Sequence, residues 1–508
     1  MKLHTFKIGG VHPAENKIAA GKAIENLPLP AEVVLPVAQH IGAPAKALVK
    51  KGDKVVRGQM VAEAGGFVSA PVHTPISGTV VKVDIARTPQ NMPVEAIYIK
   101  SDEADREADA KAIAEAKPLS DAEVEKLGAK EIIDIIKNAG IVGLGGATFP
   151  THVKLSPPPG SKAEVVIINA AECEPCLSCD DQLMREEAAD IVKGVRLLMK
   201  AAGVDRGVIA IENNKPEAIE IMTEVVRIEN SKASNKASTI TEDPVDVLPV
   251  DVLKVKTEEV LSTKIEGNSL VAEKHTRVSI DTNALTPTTH RIPTIEVMPM
   301  KVKYPQGGEK QLIEAVTGRE VPSGGLPIAT GAIVQNVATA YAVYRAVYLG
   351  EPILDRVLTI HDGDTGRNLR VPMGTMLSSI ATGTDYEKII IGGPMMGRTA
   401  STLNTPMIKG TSGILLDSRY AHRRPVEPCI RCAKCSEVCP MGLEPFLIST
   451  LSRLKEYDEA EEQKIANCIE CGSCSYICPS SRPILDFIRV GKAKVMAAMR
   501  ARAAAKKA

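Results

Sequence analysis

The chain has 508 residues, and its 62 basic and 62 acidic side chains cancel, so no overall field draws it to nucleic acid. Only 3% of residues are aromatic and none is tryptophan, which excludes stacking platforms for single strands and aromatic membrane belts. At roughly 150 residues per domain the length suggests about three domains with ordinary cores. No apolar run approaches the roughly 18 residues of a spanning helix, and Met1–Gly10 lacks the apolar stretch of a signal peptide, so a cytosolic location is expected.

Residues 27–100 alternate short β-branched runs with Gly and Pro turns, the pattern of a small all-β module. Its GDKVVRGQ turn (residues 52–59) and PISGTV strand (residues 75–80) resemble the barrel-sandwich hybrid of biotinyl and lipoyl carriers. Those carriers present a lysine at the turn tip, and the matching region, Ser69 to Pro75, has none, so a structural module is expected. Residues 102–118 are acidic and Ala-rich and read as an exposed helix and linker.

From Ser120 to Leu349 strands and helices alternate: a helix over Glu131–Lys137, a buried strand over Glu164–Asn169, a helix over Glu186–Ala201 and a strand over Gly207–Glu212. This alternation is that of an α/β domain. Within it, 228–298 is rich in Ser, Thr, Lys and Val and reads as a β-containing insertion. Residues 355–400 form another short β-rich unit, in which Asp362-Gly-Asp-Thr-Gly reads as a plain turn because a calcium loop's downstream glutamate is missing. The tail from Val490, with eight Ala and six basic residues and no acid, reads as an exposed basic helix.

All eleven cysteines fall into three tight groups, which points to metal ligation rather than disulfides. Cys429, Cys432, Cys435 and Cys439 follow C-x2-C-x2-C-x3-C-P, and the same pattern recurs 39 residues later as Cys468, Cys471, Cys474 and Cys478. In such tandem motifs three thiolates hold three corners of a 4Fe-4S cube and the fourth reaches the neighbouring cube. The expected sets are therefore Cys429, Cys432, Cys435 with Cys478, and Cys468, Cys471, Cys474 with Cys439. Zinc, the rival, does not require a triplet plus a distant fourth cysteine. Pro440 and Pro479 turn the chain away, and Phe446–Leu454 suits a helix between the sites. The third group, Cys173, Cys176 and Cys179, has no fourth partner in any group and reads as free thiols.

Gly143-Leu-Gly-Gly-Ala-Thr-Phe-Pro-Thr-His-Val-Lys154 could bring backbone N–H groups to a phosphate that Lys154 neutralises. It is neither a dinucleotide fingerprint, since Thr148 stands where the third glycine belongs, nor a Walker loop. Asn169-Ala-Ala-Glu-Cys-Glu-Pro ends a buried strand, where ligands collect in α/β sheets. Tyr304-Pro-Gln-Gly-Gly-Glu-Lys adds a second glycine turn with a carboxylate, and Gln335-Asn-Val-Ala-Thr339 adds amide and hydroxyl donors before an apolar helix.

These four segments occur in the same order, with related residues, in the FMN- and NADH-binding subunit of respiratory complex I. With the sandwich module before them and the dicluster motif after them, most of residues 1 to 490 resembles the C subunit of the Rnf (Rsx) ion-translocating electron transport complex. The resemblance implies a multidomain α/β protein. It comprises an N-terminal β barrel-sandwich hybrid with acidic linker (1–118), a complex I flavin-subunit-like FMN/NAD(H)-binding α/β domain (119–350) and a soluble-ligand-binding β-grasp unit (351–415). An α-helical ferredoxin-like dicluster module (416–490) and a basic tail (491–508) follow. It implies FMN, NAD(H) and two 4Fe-4S clusters, and a peripheral place on the cytoplasmic face of the cell membrane. The partners would be the other Rnf subunits, above all the ferredoxin-like one, with ferredoxin reached indirectly and Na+ or H+ moved by the complex.

Carried over by residue, the resemblance places Gly143, Gly145, Gly146 and Lys154 along the FMN phosphate and ribityl chain. Asn169, Glu172 and Glu174 would surround flavin and nicotinamide, Gly307, Gly308 and Glu309 would close the pocket, and Asn336 and Thr339 would bind phosphate. Glu172, Glu174 and Glu309 are the candidate catalytic carboxylates. Two positions depart: Leu144 stands where complex I subunits carry arginine, and Thr148 replaces a glycine. Two other readings stay open on the residues alone: an electron-carrying docking subunit with a degenerate flavin pocket, and a soluble flavin and Fe-S oxidoreductase acting on a small substrate.

Overall fold

The computed structural model describes residues 2–240 and 255–505, except 90, 147, 267–268, 281–292, 382, 384–385 and 417–423, with backbone alone over 234–280. It divides into two units. The smaller, Ile228–Pro293, contains a hairpin pairing Val255–Glu266 with Ser269–Ile280. The expected insertion thus holds strands, but its last residues, from Thr294, belong to the larger unit's sheet.

That sheet is parallel and four-stranded: β1 (Val165–Ala170), β2 (Arg206–Glu212), β3 (Thr294–Met300) and β4 (Ala332–Asn336) lie in the order β3-β2-β1-β4. Alternation along β1 sends its β-branched side chains to both faces. Val166, Ile168 and Ala170 join the core under helices α1 (Ala129–Asn138) and α3 (Ala188–Ala202), whereas Val165 and Ile167 meet Leu312, Ile313 and Val316 of α4 (Glu309–Thr317). Helix α2 (Cys179–Glu186) precedes α3, and α5 (Val337–Tyr348) leaves β4 directly. Ile132 and Ile136, one turn apart on α1, are fully buried, and truncating either to alanine should cost about 2–5 kcal/mol.

The sandwich module pairs Glu32–Pro36, Pro93–Lys100, Gly78–Arg87 and Lys54–Val55 in one sheet, and Lys46–Ala47, Met60–Glu63 and Val72–His73 in another. Val33, Leu35, Val61, Val80, Ile97 and Ile99 fill its interior. The acidic segment forms the expected helix, Glu103–Glu115, but Asp109 is buried and accepts both the Ser77 amide and hydroxyl at 2.6 Å. A carboxylate on an otherwise weakly amphipathic helix thus ties it to the barrel.

The β-grasp unit is a six-stranded sheet around the hairpin Asp355–Asp362 and Thr365–Pro372. One edge strand, Ile24–Asn26, comes from the N-terminal segment, which also bridges His4 to Met300 and Val11 to Tyr304. The strap is invisible to periodicity because each of its contacts involves only one to three residues. The dicluster module packs Pro445–Leu454 and Ile484–Ala505 around Ile448, Ala460, Ile465, Ile488 and Val495. Among the described residues no helix is long and apolar enough to cross a membrane.

Candidate functional site

β1 lies between β2 and β4, and in open α/β sheets ligands bind in the crevice outside the carboxyl ends of such strands. Asn336 ends β4, and its register partner Asn169 stands one residue before the end of β1. Asn169 Nδ2 donates to Gly307 O at 2.7 Å, drawing the second glycine turn over the sheet end. Asn336 caps α5, its Oδ1 accepting the Ala338 amide at 2.9 Å, so a helix N-terminus opens into the crevice.

The loop after α1 lies on the same end. Leu144 N donates to Thr339 Oγ1 at 2.9 Å, and a Cβ at Gly145 would stand 2.5 Å from Asn336 Nδ2, so only glycine lets the loop lie against that amide. At Gly146 a Cβ would meet nothing within 4 Å, so the loop is open there to a ligand. Lys154 Nζ donates to Glu309 Oε1 at 2.6 Å and to Val334 O at 3.0 Å. An ammonium has three donors, and one remains for an anion. Leu144 is buried and brings no charge to this pocket. Gly145, Lys154, Asn169, Gly307, Glu309, Asn336 and Thr339 are thus brought together from four segments, and their amides, ammonium and helix N-terminus suit a phosphorylated flavin such as FMN.

Glu172 and Glu174 sit behind this end. Glu172, at φ 44, accepts the Asp180 amide at 2.8 Å and the Asp181 amide at 3.3 Å, so its carboxylate caps α2. Asp180 Oδ2 accepts Asn336 Nδ2 at 2.7 Å, and burial followed by the Glu172 charge pushes Asp180 up to about 6. Lys17, on the N-terminal strap, donates to Glu172 O at 3.0 Å and Glu174 O at 3.1 Å, with its ammonium 4.0 Å from Glu172 Oε2. Glu172, Cys179 and Asp180 present donor atoms within 4.8 Å of one another. Lys17 and Arg356 already compensate that charge, and the group reads as a hydrogen-bonded support. Sequence reasoning missed Asp180 and Lys17, since a single acid after a cysteine and a single lysine in an irregular strap carry no pattern.

Glu174 Oε1 accepts the Met395 and Met396 amides at 2.7 and 2.9 Å, and burial pushes its carboxyl up. Tyr304 reaches the same carboxylate and donates to Cys471 O at 2.6 Å. Cys173, Cys176 and Cys179 diverge: Cys173 Sγ accepts the Gly307 amide, Cys176 is buried against Ile390 and Leu415, and Cys179 donates to Ser412 O. Among the described residues they do not gather as a ligand set.

Cys439, Cys468, Cys471 and Cys474 line one cavity. Burial raises the Cys468, Cys471 and Cys474 thiols, and each is raised further by Cys439, while Cys435 is raised by burial and by Cys478. Four thiols around one cavity fit a 4Fe-4S cube. This inner set packs on the flavin-side residues Tyr304 and Cys173, whereas Cys429 and Cys432 are exposed. The helix Ile484–Ala505 is more than a free tail: Lys492 Nζ donates to Cys468 O at 2.7 Å, and Lys492 and Arg489 both pair with Glu470.

Comparison with known proteins agrees with this layout. Residues 136–345 match the Nuo51 FMN-binding domain, 4–104 the RnfC barrel sandwich hybrid domain and 423–479 the 4Fe-4S dicluster domain. The chain is 39% identical to the C subunit of the proton-translocating ferredoxin:NAD(+) oxidoreductase complex of Clostridium ljungdahlii, over 91% of this chain and 87% of that one. It is 37% identical to the Na(+)-translocating counterpart of Acetobacterium woodii, over 98% and 99%. With the C subunit of the ion-translocating oxidoreductase complex of Rhodobacter capsulatus it shares 36% identity over 87% and 74%.

Proposed function

Since the chain belongs to the C-subunit family of ion-translocating ferredoxin:NAD(+) oxidoreductase complexes, we propose that it exchanges electrons between NAD(H) and the ferredoxin-reactive part of such a complex. FMN supplies the conversion between a two-electron hydride and the single electrons that 4Fe-4S clusters carry. Lys154 and the open backbone at Gly146 hold the phosphate end, with Gly143, Gly145, Asn336 and Thr339 shaping the loop. Asn169, Gly307 and Gly308 close the pocket over the strand ends, and Glu309 fixes the Lys154 ammonium while facing the nicotinamide nucleotide. Glu172 and Glu174 act from behind, Glu172 through Asp180 on Asn336 and Glu174 through Tyr304.

The observation that carries this reading is the Tyr304–Glu309 turn. One end closes on Asn169 and Lys154, and the other bonds Cys471 of the inner cysteine set. Cys439, Cys468, Cys471 and Cys474 hold the cluster nearer the flavin, and Cys429, Cys432, Cys435 and Cys478 the cluster nearer solvent. The exposed Cys429 and Cys432 favour docking of the ferredoxin-like subunit at that end, with the chain held peripherally on the cytoplasmic face by its protein partners. Anaerobic purification should give about eight iron, eight acid-labile sulfide and one FMN per chain. Full NADH oxidation by flavin-free protein would overturn the proposal.

A further inference from the structure

The sandwich module's tip is buried. Ser69, Ala70, Val72 and Thr74 are at most 1% exposed, where a carrier would hold its lysine out to solvent, so this tip cannot swing. It is pressed against the start of the flavin domain's glycine loop, and three bonds join them. Ile41 N donates to Thr148 O at 3.4 Å, His152 Nε2 meets Phe67 O at 3.1 Å, and the Phe67 ring stands edge-on to His152. The third runs through Lys409. Fully buried in the turn that precedes the β-grasp strand Gly413–Leu415, it donates from Nζ to Pro71 O of the tip and to Gly140 O of the loop's root, both at 2.7 Å. Its own amide donates to Gln39 Oε1 at 3.2 Å. The junction is tight: Gly140 has φ +67, and a Cβ there would lie 2.5 Å from Pro71 O.

Thr148 shows what the clamp does. Its φ is 52, in the left-handed region that a β-branched residue enters only at a cost. Such a conformation persists only where the surroundings over-determine it: the Gly143 amide closes the loop on Phe149 O at 2.9 Å, and Ile41 and the fixed root at Gly140 hold that closed loop from outside. We propose that the sandwich module is a clamp on the flavin loop, and that Lys409 is the positioning residue that locks tip, loop root and β-grasp turn together and so holds Thr148 in the left-handed shape the pocket requires. This rests on the FMN reading above. The partner of Lys409 is this chain's own backbone, and no ligand is involved.

Lys409→Met removes both Nζ bonds at similar side-chain length. In flavin-free protein its amide hydrogen exchange over 143–152 should rise at least about tenfold, and in reconstituted protein FMN should bind about tenfold more weakly, with iron and sulfide content unchanged. Adding Thr148→Gly should restore FMN affinity, since glycine holds that φ without a clamp. A residue that served only general stability would not be rescued in this way. Should Lys409→Met fail to fold, Phe67→Ala decides: it strips a largely exposed ring from His152, and faster exchange at 149–152 with weaker FMN binding is the expected result. Unchanged exchange and FMN affinity in whichever variant folds, or no rescue by Thr148→Gly, would overturn the clamp. Absence of FMN binding by the unsubstituted protein would overturn the FMN reading instead, and the exchange measurement would still judge the clamp.

Discussion

Replacing Lys154 by methionine should weaken FMN binding by roughly 10- to 150-fold. The ammonium holds Glu309 Oε1 at 2.6 Å and Val334 O at 3.0 Å, and its third donor is left for the phosphate. A charge-assisted hydrogen bond contributes about 1.5–3 kcal/mol, which is roughly that range in affinity. The loss is not confined to one bond, because Glu309 would then face the phosphate without its counter-ion. Buried Leu144 offers no substitute cation. Lys154→Glu should go further, because two like charges at about 4 Å in a medium of effective dielectric near 20 repel by about 4 kcal/mol. The assay is fluorescence titration of flavin-free protein with FMN, checked by flavin content after gel filtration. Lys154→Arg keeps the charge but not the point geometry, and should fall between the parent and Lys154→Met. If Lys154→Met binds FMN within twofold of the parent, Lys154 is not in the phosphate site and the assignment of the loop fails.

Cys439→Ser should remove the cluster of Cys468, Cys471 and Cys474, leaving about four irons per chain; loss of the cluster of Cys429, Cys432 and Cys435 instead would refute the crossed pairing. Asp180→Asn tests the buried carboxylates. Asp180 is held up to about 6 in the folded chain, so it disfavours folding once the unfolded carboxyl ionises, from about pH 4, and fully above about pH 6. The variant should therefore gain about 1–3 kcal/mol over the parent across that window in denaturant titrations, and equal pH profiles would refute this. The terminal helix spends Arg489 and Lys492 on Glu470 and Arg502 on Glu461, so protein-free anionic vesicles at physiological salt should not sediment the chain. Firm binding there would make the helix a lipid anchor.

The sheet was legible because Glu164-Val-Val-Ile-Ile-Asn and Gly207-Val-Ile-Ala-Ile-Glu are apolar runs bounded by turns, and the crossed clusters because ligand spacing is fixed by the cube itself. Most of the crevice was legible for a related reason, since glycine, asparagine and lysine were placed at strand ends and turns. What stayed hidden depends on tertiary contact. Glu172 and Glu174 sit in the motif, yet their carboxylates turn to α2 and to Met395–Met396, which no local pattern encodes. Lys17, Asp180 and Lys409 are single residues whose partners lie far along the chain. By composition the basic tail reads as solvated, because Lys and Arg usually are, whereas Lys492 reaches a carbonyl of the cluster loop.

Electron passage across the Tyr304–Glu309 turn is the step on which the proposed function depends. Anaerobic holoprotein should be mixed with NADH and frozen at intervals for electron paramagnetic resonance, in parallel with a flavin-free preparation whose iron and sulfide are intact. Reduced 4Fe-4S signals from both clusters should grow in the first sample and stay absent in the second, returning when FMN is added. Equal cluster reduction without flavin, or clusters that stay oxidised in a flavin-replete sample under excess NADH, would contradict that route.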